Sequence, residues 1–134
     1  AQGTSILSFE HADQGMGATL AFAAQQIGDW DGCAVCLGDM PFIETSTYRR
    51  IAELVTAGSI VTPIFDSKMG NPVAFGKNLY TDLEALSGDS GGRGIMSIYP
   101  HAVRELHVSD PGILQDIDTR EELAFYQDSQ RILP

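Results

Sequence analysis

The sequence predicts an α/β fold, a sheet with helices on both faces, and three observations carry that prediction. Short apolar runs alternate with helix-period segments along the whole chain. Glycine- and proline-containing turns separate them. One run, Cys33-Ala34-Val35-Cys36-Leu37, is apolar without interruption, the pattern of a strand covered on both faces.

Taken in order, Ser5-Ile6-Leu7-Ser8-Phe9 reads as a short strand and His11 to Gly17 as a loop. Ala18 to Ile27 is rich in Ala, Leu and Gln, which favour a helix. Asp29-Trp30-Asp31-Gly32 turns into the central strand, which Gly38-Asp39-Met40-Pro41 then breaks. A second helix is expected from about Ser46 to Ala57. Its residues Tyr48, Ile51, Ala52 and Val55 repeat at helical spacing, and Gly58 is placed as the C-terminal cap. Ser59 to Phe65 is the next strand, and Val73-Ala74-Phe75 a shorter one. Leu79, Leu83 and Leu86 share one face of a third helix. A glycine-dense stretch, Gly88 to Gly94, leads into a helical turn near Ser90. Val103 to Val108 reads as a strand and Ile113 to Asp118 as extended chain. Thr119-Arg120-Glu121-Glu122 has the capping-box pattern that opens a last helix. No repeat or linker interrupts the pattern, so residues 1–134 read as a single domain or a large piece of one.

Composition narrows the function classes. Hydrophobic residues make up 43% and charged residues 19%, as in a globular chain. Acidic residues outnumber basic ones 18 to 8, a formal charge of −10, which argues against nucleic acid and anionic lipid as partners. An acidic protein that handles an anionic nucleotide needs a cation between them. No apolar run reaches the roughly 18 residues of a membrane helix, and Ala1-Gln2-Gly3-Thr4 has no signal-peptide character. A reducing, cytoplasmic setting is the expectation. Cys33 and Cys36 point to opposite faces of one strand, which disfavours a disulfide or shared metal and makes both packing residues.

Three groups of residues could carry chemistry. Asp39 stands at the carboxyl end of the apolar strand, where open α/β sheets bind ligands, and Gly38 beside it lets a ligand approach. A carboxylate there suits Mg²⁺, although a turn-forming Asp fits the same position. Asp116 and Asp118 lie on one face of an extended chain, about 6.5–7 Å apart. A cation would relieve their repulsion, while Asp118 also fits as a helper of the Thr119 cap. Gly88 to Gly94 offers backbone N–H groups and the cation Arg93, the components of an anion site and equally of a surface turn. His11, His101 and His107 have no partner at ligand spacing.

Together these fragments resemble the molybdenum cofactor cytidylyltransferases and their guanylyltransferase and MobA-like relatives. Gln14-Gly15-Met16-Gly17-Ala18-Thr19-Leu20 is similar to that family's glycine loop and helix beside the nucleotide, and Leu37-Gly38-Asp39-Met40-Pro41 to its metal-binding strand end. Gly70-Asn71-Pro72-Val73 resembles the Gly-His-Pro-Val element near the acceptor, with Asn71 where His is commoner. Gly88-Asp89-Ser90-Gly91-Gly92-Arg93 resembles the Gly-Asp-x-Gly-x-Arg turn, and Asp116-Ile117-Asp118-Thr119 the family's Asp-Ile-Asp-Thr ending. The resemblance implies a mixed, mainly parallel sheet of the nucleotide-diphospho-sugar transferase, Rossmann-like type. It implies Mg²⁺-dependent nucleotidyl transfer from CTP or GTP to a phosphorylated acceptor such as molybdopterin. It makes Asp39 and one or both of Asp116 and Asp118 metal ligands, with Asp39 and Asp118 catalytic. Gly15, Met16, Gly17 and Gly38 would border the nucleotide; Gly70, Asn71, Pro72, Gly88, Asp89, Gly91 and Arg93 would touch substrate.

Such enzymes begin with a Leu-Ala-Ala-Gly-x-Ser-x-Arg-Met-Gly strand and phosphate loop, which this sequence lacks. Ser5 to Phe9 matches a later strand, so the chain corresponds to the C-terminal two-thirds of a nucleotidyltransferase domain. A missing N-terminal segment or a partner chain would complete the site, and the 134 residues alone are expected to be inactive. Two other readings remain open: a non-catalytic binding or assembly domain on the same fold, and an enzyme whose acceptor is a sugar phosphate or small phosphorylated acid.

Overall fold

The structure, a computed structural model, describes residues 7–117 and Ala124. Helix α1 spans Met16–Ala24, strand β1 Gly32–Val35, helix α2 Thr45–Leu54 and strand β2 Ile60–Phe65. Strands β3 (Lys68–Met69) and β4 (Val73–Gly76) follow, then helices α3 (Tyr80–Glu84) and α4 (Arg93–Ile98) and strand β5 (Val103–His107). The strands form one open α/β sheet in the order β1-β4-β2-β3, with β5 also pairing β2. Every residue of β4 is buried, as are five of the six in β2. No described helix is long and apolar enough to cross a membrane.

By packing, the chain divides into two compact units. The first comprises Ala1–Cys33, Thr56–Ile60 and Phe75–Val103, and the second Ala34–Val55, Val61–Ala74 and Arg104–Pro134. In the first, α1 packs on α3, and Ala21, Phe75, Leu79, Leu83, Ile95 and Met96 are buried. In the second, Ile51 of α2 packs on Val61 and Ala74, flanked by Val55 and Leu106. A further cluster joins Met40, Ile43 and Ile113. Ile51, Val55, Leu79 and Leu83 are among the residues whose spacing marked helices, and removing such apolar surface from water favours the fold by roughly 1.5–3 kcal/mol for each large side chain.

Several element boundaries differ from expectation, each for a local reason. Helix α1 starts at Met16 because Gly17 and Ala18 donate N–H bonds to the Gly88 carbonyl, at 2.7 and 3.2 Å, which satisfies its first turn. Helix α2 stops at Leu54, before Gly58. Val55 turns to extended backbone, and the Ser59 hydroxyl accepts from Thr56 N at 2.8 Å, so a serine turn ends the helix in place of a glycine cap. Strand β1, expected at the centre, lies at the end of the sheet order, and Ala34 and Cys36 are exposed. Apolarity announced a strand there, but it carries no information on how many neighbours the strand has. Leu7 to Phe9 lies outside any strand, while Ser5 and Ile6 are outside the described residues. Pro111–Leu114 is a 3₁₀ turn where extended chain was expected. The Thr119 capping box lies outside the described residues.

Strand β3 had no counterpart in the sequence reading. It pairs antiparallel with the end of β2, Ile64 opposite Met69 and Phe65 opposite Lys68. The two loop residues, Asp66 and Ser67, have φ of 51° and 63°, the primed-turn geometry that suits a tight hairpin. Side chains other than Gly or Asn pay about 1 kcal/mol for that backbone. Ser67→Gly is therefore expected to raise stability by about 0.5 kcal/mol, after the extra freedom glycine gives the unfolded chain is subtracted. A urea midpoint at or below that of the parent chain would contradict this.

Candidate functional site

The sequence-predicted residues fall into two groups, one in each unit. In the first unit, Gly15, Gly17, Gly88 and Asp89 come together. A Cβ on Gly15 would collide with the Gly88 backbone and the Asp89 carboxylate, and one on Gly17 with the Ser87 and Ser90 carbonyls. Gly15 also has φ of 112°, a conformation that only glycine adopts at low cost. Their glycine character thus has a packing cause. The Gly88 carbonyl occupies the N–H groups of Gly17 and Ala18, so these two donors serve the fold. Met16 is exposed at the helix start, Gly91 has open space around it, and Arg93 is exposed at the start of α4. Beside this junction lies a surface cavity of about 290 Å³ lined by Phe9, His11, Phe22 and Gly88 among others. Phe9 stacks on Phe22 there at 4.8 Å, with His11 against its edge.

In the second unit, the segment from Asp110 to Ile117 brings the other predicted residues together. Ile117 N donates to the Asp39 carbonyl at 2.6 Å, which sets Asp39 beside the Asp116-Ile117 stretch. Asn71 N donates to the Ile113 carbonyl at 2.9 Å. Gly70 is packed so closely that a Cβ would strike Ile113. Two elements far apart in sequence, the Asp39 turn and Gly70-Asn71-Pro72, are therefore held by one short segment. Asp39 sits in a turn closed by Met40 N donating to the Leu37 carbonyl, and the burial of Met40 anchors that turn from below.

The Asp39 and Asp116 carboxylates are exposed, and neither makes a hydrogen bond or ion pair among the described residues. Gly38 leaves open space, since a Cβ there would meet nothing. Hard, unpartnered carboxylate oxygens on fixed backbone suit a divalent cation such as Mg²⁺ or Mn²⁺. Among the described residues, no three His, Cys, Asp or Glu side chains form a ready metal cluster. Asp118, the third expected ligand, lies outside those residues. Partial burial of the sulfur pushes the Cys33 thiol up, and the Cys36 thiol too although that residue is largely exposed, so both stay protonated at neutral pH.

One residue that sequence reasoning missed organises this group. Asp110 is 2% exposed, and its carboxylate accepts three hydrogen bonds. Glu44 N donates to Oδ2 at 2.8 Å, Thr47 Oγ1 to Oδ2 at 2.7 Å, and Gly112 N to Oδ1 at 2.9 Å. Helix α2 has no side-chain cap of its own, so Asp110 supplies one from 66 residues away. The one signal available was the Asp110-Pro111-Gly112 turn pattern.

The model of the MobA-like NTP transferase domain family matches residues 1–106. Among solved structures, Rv0371c from Mycobacterium tuberculosis H37Rv is 28% identical with a TM-score of 0.80, over 96% of this chain and 66% of that one. The same protein in complex with manganese gives 29% identity and a TM-score of 0.77, over 96% and 67%. Mth528, a nucleotidyl transferase from Methanothermobacter, shares the fold at 21% identity and a TM-score of 0.73, over 92% and 61%. The chain thus spans about two thirds of the length of these structures. No curated protein matches it significantly.

Proposed function

This chain belongs to the MobA-like NTP transferase domain family, and on that premise we propose that it carries the metal and acceptor side of a nucleotidyltransferase site. The reaction is transfer of a nucleotidyl group from CTP or GTP to a phosphorylated acceptor such as molybdopterin. An acceptor phosphate oxygen bonds to the α-phosphorus, the bond from that phosphorus to the bridging oxygen breaks, and pyrophosphate leaves. The observation that carries this reading is the convergence of the Asp39 turn and Gly70-Asn71 on the segment 110–117, which contains Asp116.

Asp39 and Asp116 are the residues of this chain that would hold a divalent ion, joined by Asp118 if the family pattern carries over. When bound, the ion offsets charge on the triphosphate and the departing pyrophosphate. The residues contribute position and electrostatics, which suffice for phosphorus transfer without a covalent protein intermediate. Asp39 is held by its own turn and by Ile117, so its carboxylate needs little reorganisation to bind. Gly38 leaves the approach open. Gly70 and Asn71, fixed against Ile113, border the acceptor. That Rv0371c was solved in complex with manganese supports the choice of a divalent ion.

Calorimetric titration of the intact gene product with CTP and GTP tests the reading. Saturable binding of one of them that needs Mg²⁺ or Mn²⁺ is the expected result. Nucleotide binding indifferent to the ion would overturn it, and no nucleotide binding at all would favour a non-catalytic domain on the same fold.

A further inference from the structure

We propose that Asp110 is a positioning residue for the metal site, setting the distance between the Asp39 and Asp116 carboxylates without touching the ion. This rests on the reading of those two residues as ligands. The geometry is a chain of short hydrogen bonds, two of them buried. Oδ2 of Asp110 fixes the start of α2 through Glu44 N and Thr47 Oγ1, and Glu44 lies five residues beyond Asp39. Oδ1 fixes the turn at Gly112, which lies four residues before Asp116. One carboxylate therefore ties both arms at their bases, and the bond from Ile117 N to the Asp39 carbonyl closes the loop at the tips. The packing between the arms allows no slack. Gly112 is buried against the Phe42 carbonyl so closely that no Cβ fits, and Met40, Ile43 and Ile113 fill the space between.

A carboxylate is suited to this task in a way that its neutral analogue is not. It accepts from three donors without offering a proton of its own, and each bond gains from its charge. Asn at the same place has one acceptor oxygen and an NH₂ group, which must face either the Gly112 N–H or the pair from Glu44 and Thr47. One arm is then released while the volume stays the same. Outer residues that orient metal ligands commonly change metal affinity by about 10–100-fold when altered.

Two readouts on the 134-residue chain test the proposal. The first is hydrogen exchange at the Ile117 amide, which reports the tip bond whether or not metal is present. The second is Mn²⁺ affinity by electron paramagnetic resonance. Asp110→Asn is expected to speed Ile117 exchange by about 10-fold or more while the Val61 and Ala74 amides of the core keep theirs, and to weaken Mn²⁺ by about 10-fold. Wild-type exchange at Ile117 and wild-type Mn²⁺ affinity in a folded Asp110→Asn protein would overturn it. Should that variant not fold, Thr47→Val removes one bond to the same oxygen. It should move both readouts in the same direction by a smaller factor, and Thr47→Ser should restore them. No change in Thr47→Val would equally overturn the proposal. If the parent chain binds no Mn²⁺, the ligand reading of Asp39 and Asp116 fails; the exchange arm then still decides whether Asp110 holds the two segments together.

Discussion

Replacing Asp39 with Asn is expected to weaken Mn²⁺ binding by at least about 10-fold while leaving stability within about 0.5 kcal/mol of the parent chain. Both halves follow from the same facts. The carboxylate is exposed and makes no hydrogen bond or ion pair among the described residues, so its charge supports nothing in the fold. Its backbone is held independently, by the Met40 turn and by Ile117, so the substitution leaves the loop in place. What changes is the charge offered to a cation. Two carboxylates near one another repel when no ion is present, and removing one relieves that repulsion and removes the attraction together. Asp116→Asn should behave alike. A turn-forming Asp39, the competing reading, predicts unchanged Mn²⁺ affinity, because Asn serves the same turn. Titrating Mn²⁺ against each variant, with urea unfolding alongside, separates the two.

Gly112→Val should be strongly destabilising, at about 3 kcal/mol. Gly112 is buried, and the first carbon of any side chain would enter the space of the Phe42 carbonyl and crowd Asp110 Oδ1. These are backbone and hydrogen-bonded atoms, so the chain cannot yield by rotating a side chain; the 110–117 segment must lift away. Lifting it separates Asp110 from Glu44 and Thr47 and takes Ile113 from its cluster with Met40 and Ile43. A fall in Tm on the order of 10 °C is expected. Gly38→Ala is the matched control, because a Cβ there meets open space, and its Tm should stay within a few degrees. Equal effects of the two substitutions would show that the close approach at Gly112 is not tight.

How much of this was legible in the sequence depended on whether the cause was local. Asp39 could be placed because an apolar run ending in Gly-Asp-Met-Pro marks a strand end by itself. Leu79 and Leu83, and Ile51, were found by periodicity and are buried as expected. Asp110 could not be found this way. Its partners Glu44 and Thr47 stand 66 and 63 residues away, and no spacing rule reaches that far. The glycines of the first unit show the same limit. Gly15 and Gly17 looked like a ligand loop, but much of their need for glycine comes from Gly88 packing against them. The β2–β3 hairpin was missed because Asp66-Ser67 lacks the Asn-Gly or Gly-Gly pattern that announces such a turn. β1 showed its apolarity in sequence but not its place at the end of the sheet order. Asp118 and the Thr119 cap lie outside the described residues, so the last part of the expected ligand set stays an inference from the family.

We propose that Asp39 and Asp116 form one cation site held by the 110–117 segment. Titrating Mn²⁺ into the isotope-labelled 134-residue chain, and following which amide signals broaden first, tests it most directly. Saturable broadening centred on Gly38, Asp39, Asp116 and Ile117 is expected, with Glu53, Glu84 and the other exposed acidic residues unaffected at the same concentration. Broadening spread evenly over the acidic surface, or centred elsewhere, would contradict it.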